Sequence, residues 1–133
     1  ARDAAQAAAV AEGIASVSTE LPILVLPDSE IQKAAQAAGL RAIPEVFADR
    51  GYNPDGSLVS RREKGAVLHD AREIADRVVR MVEEGLVTAV DGSDIRVSAE
   101  SVCVHGDTPG AVDIARTIRR GLDDAGISVQ SFV

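Results

Sequence analysis

Ser101-Val-Cys-Val-His-Gly-Asp-Thr-Pro-Gly110 reads as a short buried strand that runs directly into the start of a helix, with His105 and Asp107 at the junction. In parallel α/β folds, ligands sit beyond the carboxyl ends of the strands, so polar groups at such a junction are candidates for chemistry. Thr108 and Pro109 suit the N-cap and the first helical position, which leaves the Asp107 carboxylate free for another task. Cys103 is the only cysteine, so no internal disulfide forms, and it reads as a small hydrophobe in the strand. Val102 and Val104 beside it do not make the electropositive setting that a reactive thiol needs.

Upstream, residues 3–16 are rich in alanine, with Val10, Ile14 and Val17 at helical spacing, a helix that packs closely through small side chains. Leu21-Pro-Ile-Leu-Val-Leu26 is a continuous apolar run that suits a strand covered on both faces. Asp28 then caps a helix over 28–38 that Gly39 closes. Ile43-Pro-Glu-Val-Phe47 is the next strand, with Pro44 expected at its start or on a sheet edge. A long polar loop follows, broken by Asn53-Pro-Asp-Gly56, and loops of that length are usually lids or binding loops.

Asp70-Ala-Arg-Glu73 is a capping box that opens the strongest helix, with Ile74, Val78, Val79, Met81 and Val82 as its apolar stripe and Gly85 as its stop. Val87–Val90 and Ile95–Val97 flank Asp91-Gly92, a hairpin for which the Asp-Gly pair predicts a type I′ turn. A last helix over 109–124 ends at Gly126. The order α, β, α, β, α, hairpin, β, α means an α/β fold with parallel strands and right-handed crossovers. Three strands cannot close a barrel, so open sheet edges are expected to make the chain self-associate.

At 133 residues, 46% hydrophobic and 26% charged, the composition suits one globular α/β unit over 1–133 with a mostly aliphatic core. A net charge of −7, no Trp and one Tyr argue against nucleic acid, which needs clustered cations and stacking platforms. No apolar run is long enough for a membrane span, and the amino terminus lacks the pattern of a secretory signal, so a cytoplasmic location is expected.

Two strand ends are polar. One offers Glu45, Asp49, Arg50, Tyr52 and Asn53, the other His105 and Asp107. If the strands are parallel, both groups share one rim, where a carboxylate acts as general base and an arginine clamps a substrate carboxylate. The structural alternative stands level with this: Asp49 and Arg50 as a local ion pair, His105 as a strand-end histidine with its hydrogen bonds satisfied. His69 reads as a surface residue. Arg61, Arg62 and Lys64 read as solvated loop charges, with anion binding the less common use. His105 and Asp107 alone fall short of a zinc site, and no Gly-rich phosphate loop is present.

Glu45-Val-Phe-Ala-Asp-Arg-Gly-Tyr52, Gly56-Ser-Leu-Val-Ser-Arg61, Gly65-Ala66 and Cys103-Val-His-Gly-Asp107, in this order and spacing, resemble the LamB/YcsF family, which provides the A component of bacterial ATP-dependent 5-oxoprolinase. The resemblance implies the C-terminal half of a larger irregular (β/α) barrel, of the type found in carbohydrate deacetylases, with the hairpin as an insertion. It implies a hydrolase that opens 5-oxo-L-proline to L-glutamate with ATP cleavage, alongside subunits B and C, and a chain that is inactive by itself. By resemblance, Asp49, Arg50, Arg61, His105 and Asp107 are motif positions. On our assignment Asp107 or Asp49 is the base, His105 the oxyanion donor, and Arg50 or Arg61 the anion clamp, with Glu45 and Tyr52 as further substrate contacts. No metal ligands are assigned. The other readings are a metal-dependent deacetylase-like hydrolase and a non-catalytic scaffold that docks the partner subunits.

Overall fold

The elements follow in the order α1 (Ala4–Val17), β1 (Ile23–Val25), α2 (Glu30–Ala37), β2 (Ala42–Phe47), α3 (Ala71–Glu83), β3 (Leu86–Thr88), β4 (Asp94–Arg96), β5 (Ser101–Cys103) and α4 (Ala111–Asp124). This is a computed structural model, and residues 3–132 are described. β1, β2 and β5 form a parallel sheet in that spatial order, while β3 and β4 form a separate antiparallel hairpin. The α/β alternation read from the hydrophobic runs is therefore present. The barrel is not visible in a three-stranded sheet.

The pleat sorts the sheet into two unlike faces. Register pairs Ile23 with Ala42 and Val46 with Val102, and these four are the residues of this sheet in the hydrophobic clusters. One face therefore takes all four helices: α1 and α2 around Ala11, Ala35 and Leu40, then α3 and α4 around Ile74, Val78, Ile114, Ile118 and Leu122. Each large aliphatic side chain so buried contributes roughly 1.5–3 kcal/mol. The opposite face carries Glu45, Phe47, Ser101 and Cys103, all half-buried, with Leu24, which is 46% exposed, and its partner Ile43, which is buried.

Four local expectations are corrected. Pro44 is the third residue of the central strand, not at a start or an edge. Its carbonyl accepts from the Glu100 N–H, so its nitrogen faces the β5 side just before β5 begins at Ser101 and no ladder bond is lost. Ser29, not Asp28, caps α2, and Asp28 takes a left-handed φ of 56° with its N–H on the Gln32 side-chain oxygen. The hairpin does not use a type I′ turn, because Asp91 keeps a negative φ. Ala89 accepts from Gly92 and donates to Ser93, a three-residue loop in which only Gly92, at φ 88°, is left-handed. Finally, α4 starts at Ala111 behind Gly110 at φ 80°, with no side-chain cap, so Thr108 and Pro109 precede the helix.

Asp70 caps α3 as the sequence predicts, its carboxylate accepting from the N–H groups of Arg72 and Glu73 at 2.9 and 2.8 Å. Asp70→Ala is expected to cost about 1 kcal/mol and to lower the melting temperature by about 4 °C. A thermal scan checks this, and an unchanged midpoint would show that packing alone holds α3. The hairpin is tied to α3 by Arg80, which bridges Glu84 and Asp94.

Candidate functional site

Successive strand residues point to opposite faces, so Glu45, Phe47 and Asp49 belong to one side of β2 and Ser101, Cys103 and His105 to the same side of β5. Phe47 pairs with Cys103, and the Ala48 N–H bonds the Cys103 carbonyl. Two residues further along each strand, Asp49 must then stand across from His105. It does: Asp49 Oδ1 is 2.7 Å from His105 Nδ1. The carboxylate is 1% exposed and the imidazole 20%. Phe47 stacks on the ring at 5.8 Å between centroids. Thr108 Oγ1 donates to the second carboxylate oxygen, Asp49 Oδ2, at 3.4 Å.

A carboxylate accepting at Nδ1 holds that nitrogen protonated and leaves Nε2 as the basic one, the arrangement of a histidine set up to move a proton. Asp107 follows His105 by two residues and is exposed. Behind the pair, Arg77 of α3 donates to the Ala48 carbonyl at 3.0 Å and lies 5.3 Å over the Tyr52 ring. Burial lowers the Arg77 pKa. α3 thus grips the strand end immediately before Asp49.

The remaining residues singled out in the sequence go elsewhere. Arg50 is 8% exposed and donates Nε to the Ala66 carbonyl and Nη2 to the Val59 carbonyl, at 3.0 and 2.7 Å. It forms no ion pair with Asp49, correcting that alternative, because neighbouring side chains at a strand end diverge. Tyr52 is 1% exposed, and its hydroxyl accepts from the Phe47 N–H. Burial foremost raises its pKa. Glu45 accepts from Ser101 Oγ at 2.7 Å, four residues and so about 13 Å back along the strand from Asp49. Arg61, Arg62, Lys64 and His69 are exposed. Cys103 is half-buried, its pKa raised by burial and by the carboxylates of Glu45 and Asp49, so its thiol is not activated.

Sequence reasoning misses Thr108 and Arg77. Thr108 suits a helix cap, and nothing local in the sequence sends its hydroxyl across to β2. The long loop after Asp49 is packed rather than loose: Arg50 bridges Val67 and Tyr52 bridges Leu58, and Val59 and Ala66 are buried. A cleft of about 750 Å³ opens at the carboxyl end of β1, between Leu26–Glu30, residues 54–58 and residues 95–97. Among the described residues, no three His, Cys, Asp or Glu side chains are grouped to hold a metal ion, and no helix is long and apolar enough to cross a membrane.

The LamB/YcsF family profile matches residues 1–133. Over 128 residues the chain is 58% identical to a Kocuria rhizophila protein named as the A component of 5-oxoprolinase, covering 96% of this chain and 51% of that one. A Corynebacterium jeikeium protein of the same name is 57% identical over 129 residues, 97% of this chain and 50% of the other. The crystal structure of a lactam utilization protein from Thermus thermophilus superposes with a TM-score of 0.90 at 38% identity, over 98% of this chain and 52% of that one. The chain spans about half the length of the curated relatives it matches.

Proposed function

The chain belongs to the LamB/YcsF family, and from that premise we propose that it supplies the C-terminal half of the A component of a hydrolase that opens 5-oxo-L-proline to L-glutamate with cleavage of ATP. The relatives named for 5-oxoprolinase and the lactam utilization protein support the substrate class. The observation that carries the chemistry is the Asp49–His105 pair on the rim shared by β2 and β5. In this reading the protein acts in the cytoplasm with partner subunits B and C, and these 133 residues alone turn over no substrate.

A lactam carbonyl is a poor electrophile; transfer of the γ-phosphoryl group of ATP to its oxygen, with ADP as the leaving group, would activate it. The chain has no Gly-rich phosphate loop, and the nucleotide contacts are assigned to the rest of the complex. What this chain does is manage the water. His105 Nε2 takes the proton from a water that attacks the ring carbon, while Asp49 holds Nδ1–H and offsets the charge of the imidazolium; the ring C–N bond then breaks as the imidazolium returns that proton to the leaving nitrogen, and a second water hydrolyses the acyl phosphate to glutamate and inorganic phosphate. Asp107, exposed two residues beyond His105, is assigned to orient that water. The roles of base and orienter are thus divided between His105 and the two carboxylates. Of the two arginines, Arg61 is free to meet the substrate carboxylate, whereas Arg50 is assigned to the loop. Glu45 sits too far back along the sheet to touch a small lactam seated at His105.

The test is 5-oxoproline-dependent ATP hydrolysis and glutamate formation by the full-length protein with its partner subunits. His105→Gln is expected to lower turnover at least about 100-fold, the usual contribution of a general base. Unchanged turnover in a folded His105→Gln protein would overturn the reading.

A further inference from the structure

We infer that Thr108 is a positioning residue for His105, acting through Asp49; the inference rests on reading Asp49–His105 as the proton-transfer pair. The Asp49 carboxylate is 1% exposed, and each of its oxygens meets one side chain: Oδ1 the His105 ring, Oδ2 the Thr108 hydroxyl at 3.4 Å. A buried carboxylate with one oxygen left without a donor rotates toward whatever donor it finds, and a rotated carboxylate no longer fixes which nitrogen of the imidazole carries the proton. The Thr108 hydroxyl is the second point that stops this rotation.

The helix start gives an independent reason to think the hydroxyl is placed for Asp49. Thr-Pro is a favourable way to open a helix, and a threonine at that position would spend its oxygen on the helix N–H groups. Here α4 begins three residues after Thr108, behind Gly110, with no side-chain cap. Only the Thr108 carbonyl serves the helix end, accepting from the Ala111 N–H. The hydroxyl is turned back across the rim, to the strand end of β2.

The experiment uses the full-length protein. Long-range ¹⁵N–¹H correlation spectra read the tautomer of His105 directly, its signals being assigned as those that His105→Gln removes. Wild type is expected to show His105 protonated at Nδ1. In Thr108→Val a mixture of tautomers is expected, and with the partner subunits kcat falls by up to about tenfold with KM unchanged, the upper limit for a bond as long as 3.4 Å. Thr108→Ser, which keeps the hydroxyl, is expected to restore both. Should Thr108→Val not fold, Thr108→Ala carries the same test. A folded variant lacking the hydroxyl that keeps the wild-type tautomer and kcat, or a serine variant that fails to restore them, would overturn the inference. If instead His105→Gln itself is fully active, it is the proton-transfer reading that fails.

Discussion

Gly51→Ala is expected to destabilise the protein by about 3 kcal/mol, toward the upper end of what overpacking costs. A Cβ built at position 51 lies 2.3 Å from the Gly65 carbonyl oxygen and 3.2 Å from a Val59 methyl. Backbone cannot swing aside as a side-chain tip does. The two glycines sit where the loop after Asp49 doubles back, held by the Gly51 N–H on the Ala66 carbonyl and the Val59 N–H on the Gly51 carbonyl. Making room for one methyl therefore means breaking that lattice. Denaturant unfolding checks the result as a lower midpoint at unchanged slope. Gly13→Ala is the matched control: it is a mid-helix site with nothing within 4 Å of the new methyl, and should gain up to about 1 kcal/mol. A Gly51→Ala protein as stable as wild type would mean that the loop is far softer than its hydrogen bonds indicate.

Arg50→Met is expected to cost about 4 kcal/mol, a large share of the roughly 5–15 kcal/mol that typically separates folded from unfolded states. The side chain is almost wholly buried, and its guanidinium reaches the carbonyls of Ala66 and Val59 from a single anchor point. Methionine fills much of the volume and supplies neither donor. Two charge-assisted bonds vanish: the Ala66 carbonyl keeps the Gly51 N–H, while the Val59 carbonyl loses the Arg50 donor. Lysine keeps the charge but cannot fork to two acceptors, so Arg50→Lys should recover only part of the loss. Calorimetry on the full-length protein measures both variants. If Arg50→Met left stability untouched while abolishing substrate binding, Arg50 would be a ligand contact after all and its assignment to the loop would be wrong.

The order of elements is legible in the sequence because each is written locally. Apolar runs mark the strands of the parallel sheet, the Asp70 box opens α3, and glycines close α2, α3 and α4. What is not legible depends on partners distant in sequence. Whether Pro44 costs a ladder bond depends on where β5 begins, at Ser101, far along the chain. Asp91-Gly92 invites a type I′ turn, but the pairing of Ala89 with Ser93 leaves three residues to span rather than two. The candidate site follows the same division. Alternation along β2 separates Asp49 from Arg50 and counts against their ion pair even without coordinates. The partner of Asp49 across the sheet is fixed by register, which no pattern within either strand encodes. Thr108 misleads for the complementary reason: its local signal is strong, and a contact with the other strand takes precedence.

The sheet lays its strands down in chain order, β1, β2, β5, without doubling back. A doubly wound sheet reverses direction in its middle and thereby opens a crevice between divergent connections. An ordering that only advances has no such reversal. A further strand can join either flank without rerouting a single existing connection, so this architecture is extensible by simple addition, and any enclosed chamber must come from curling rather than from divergence.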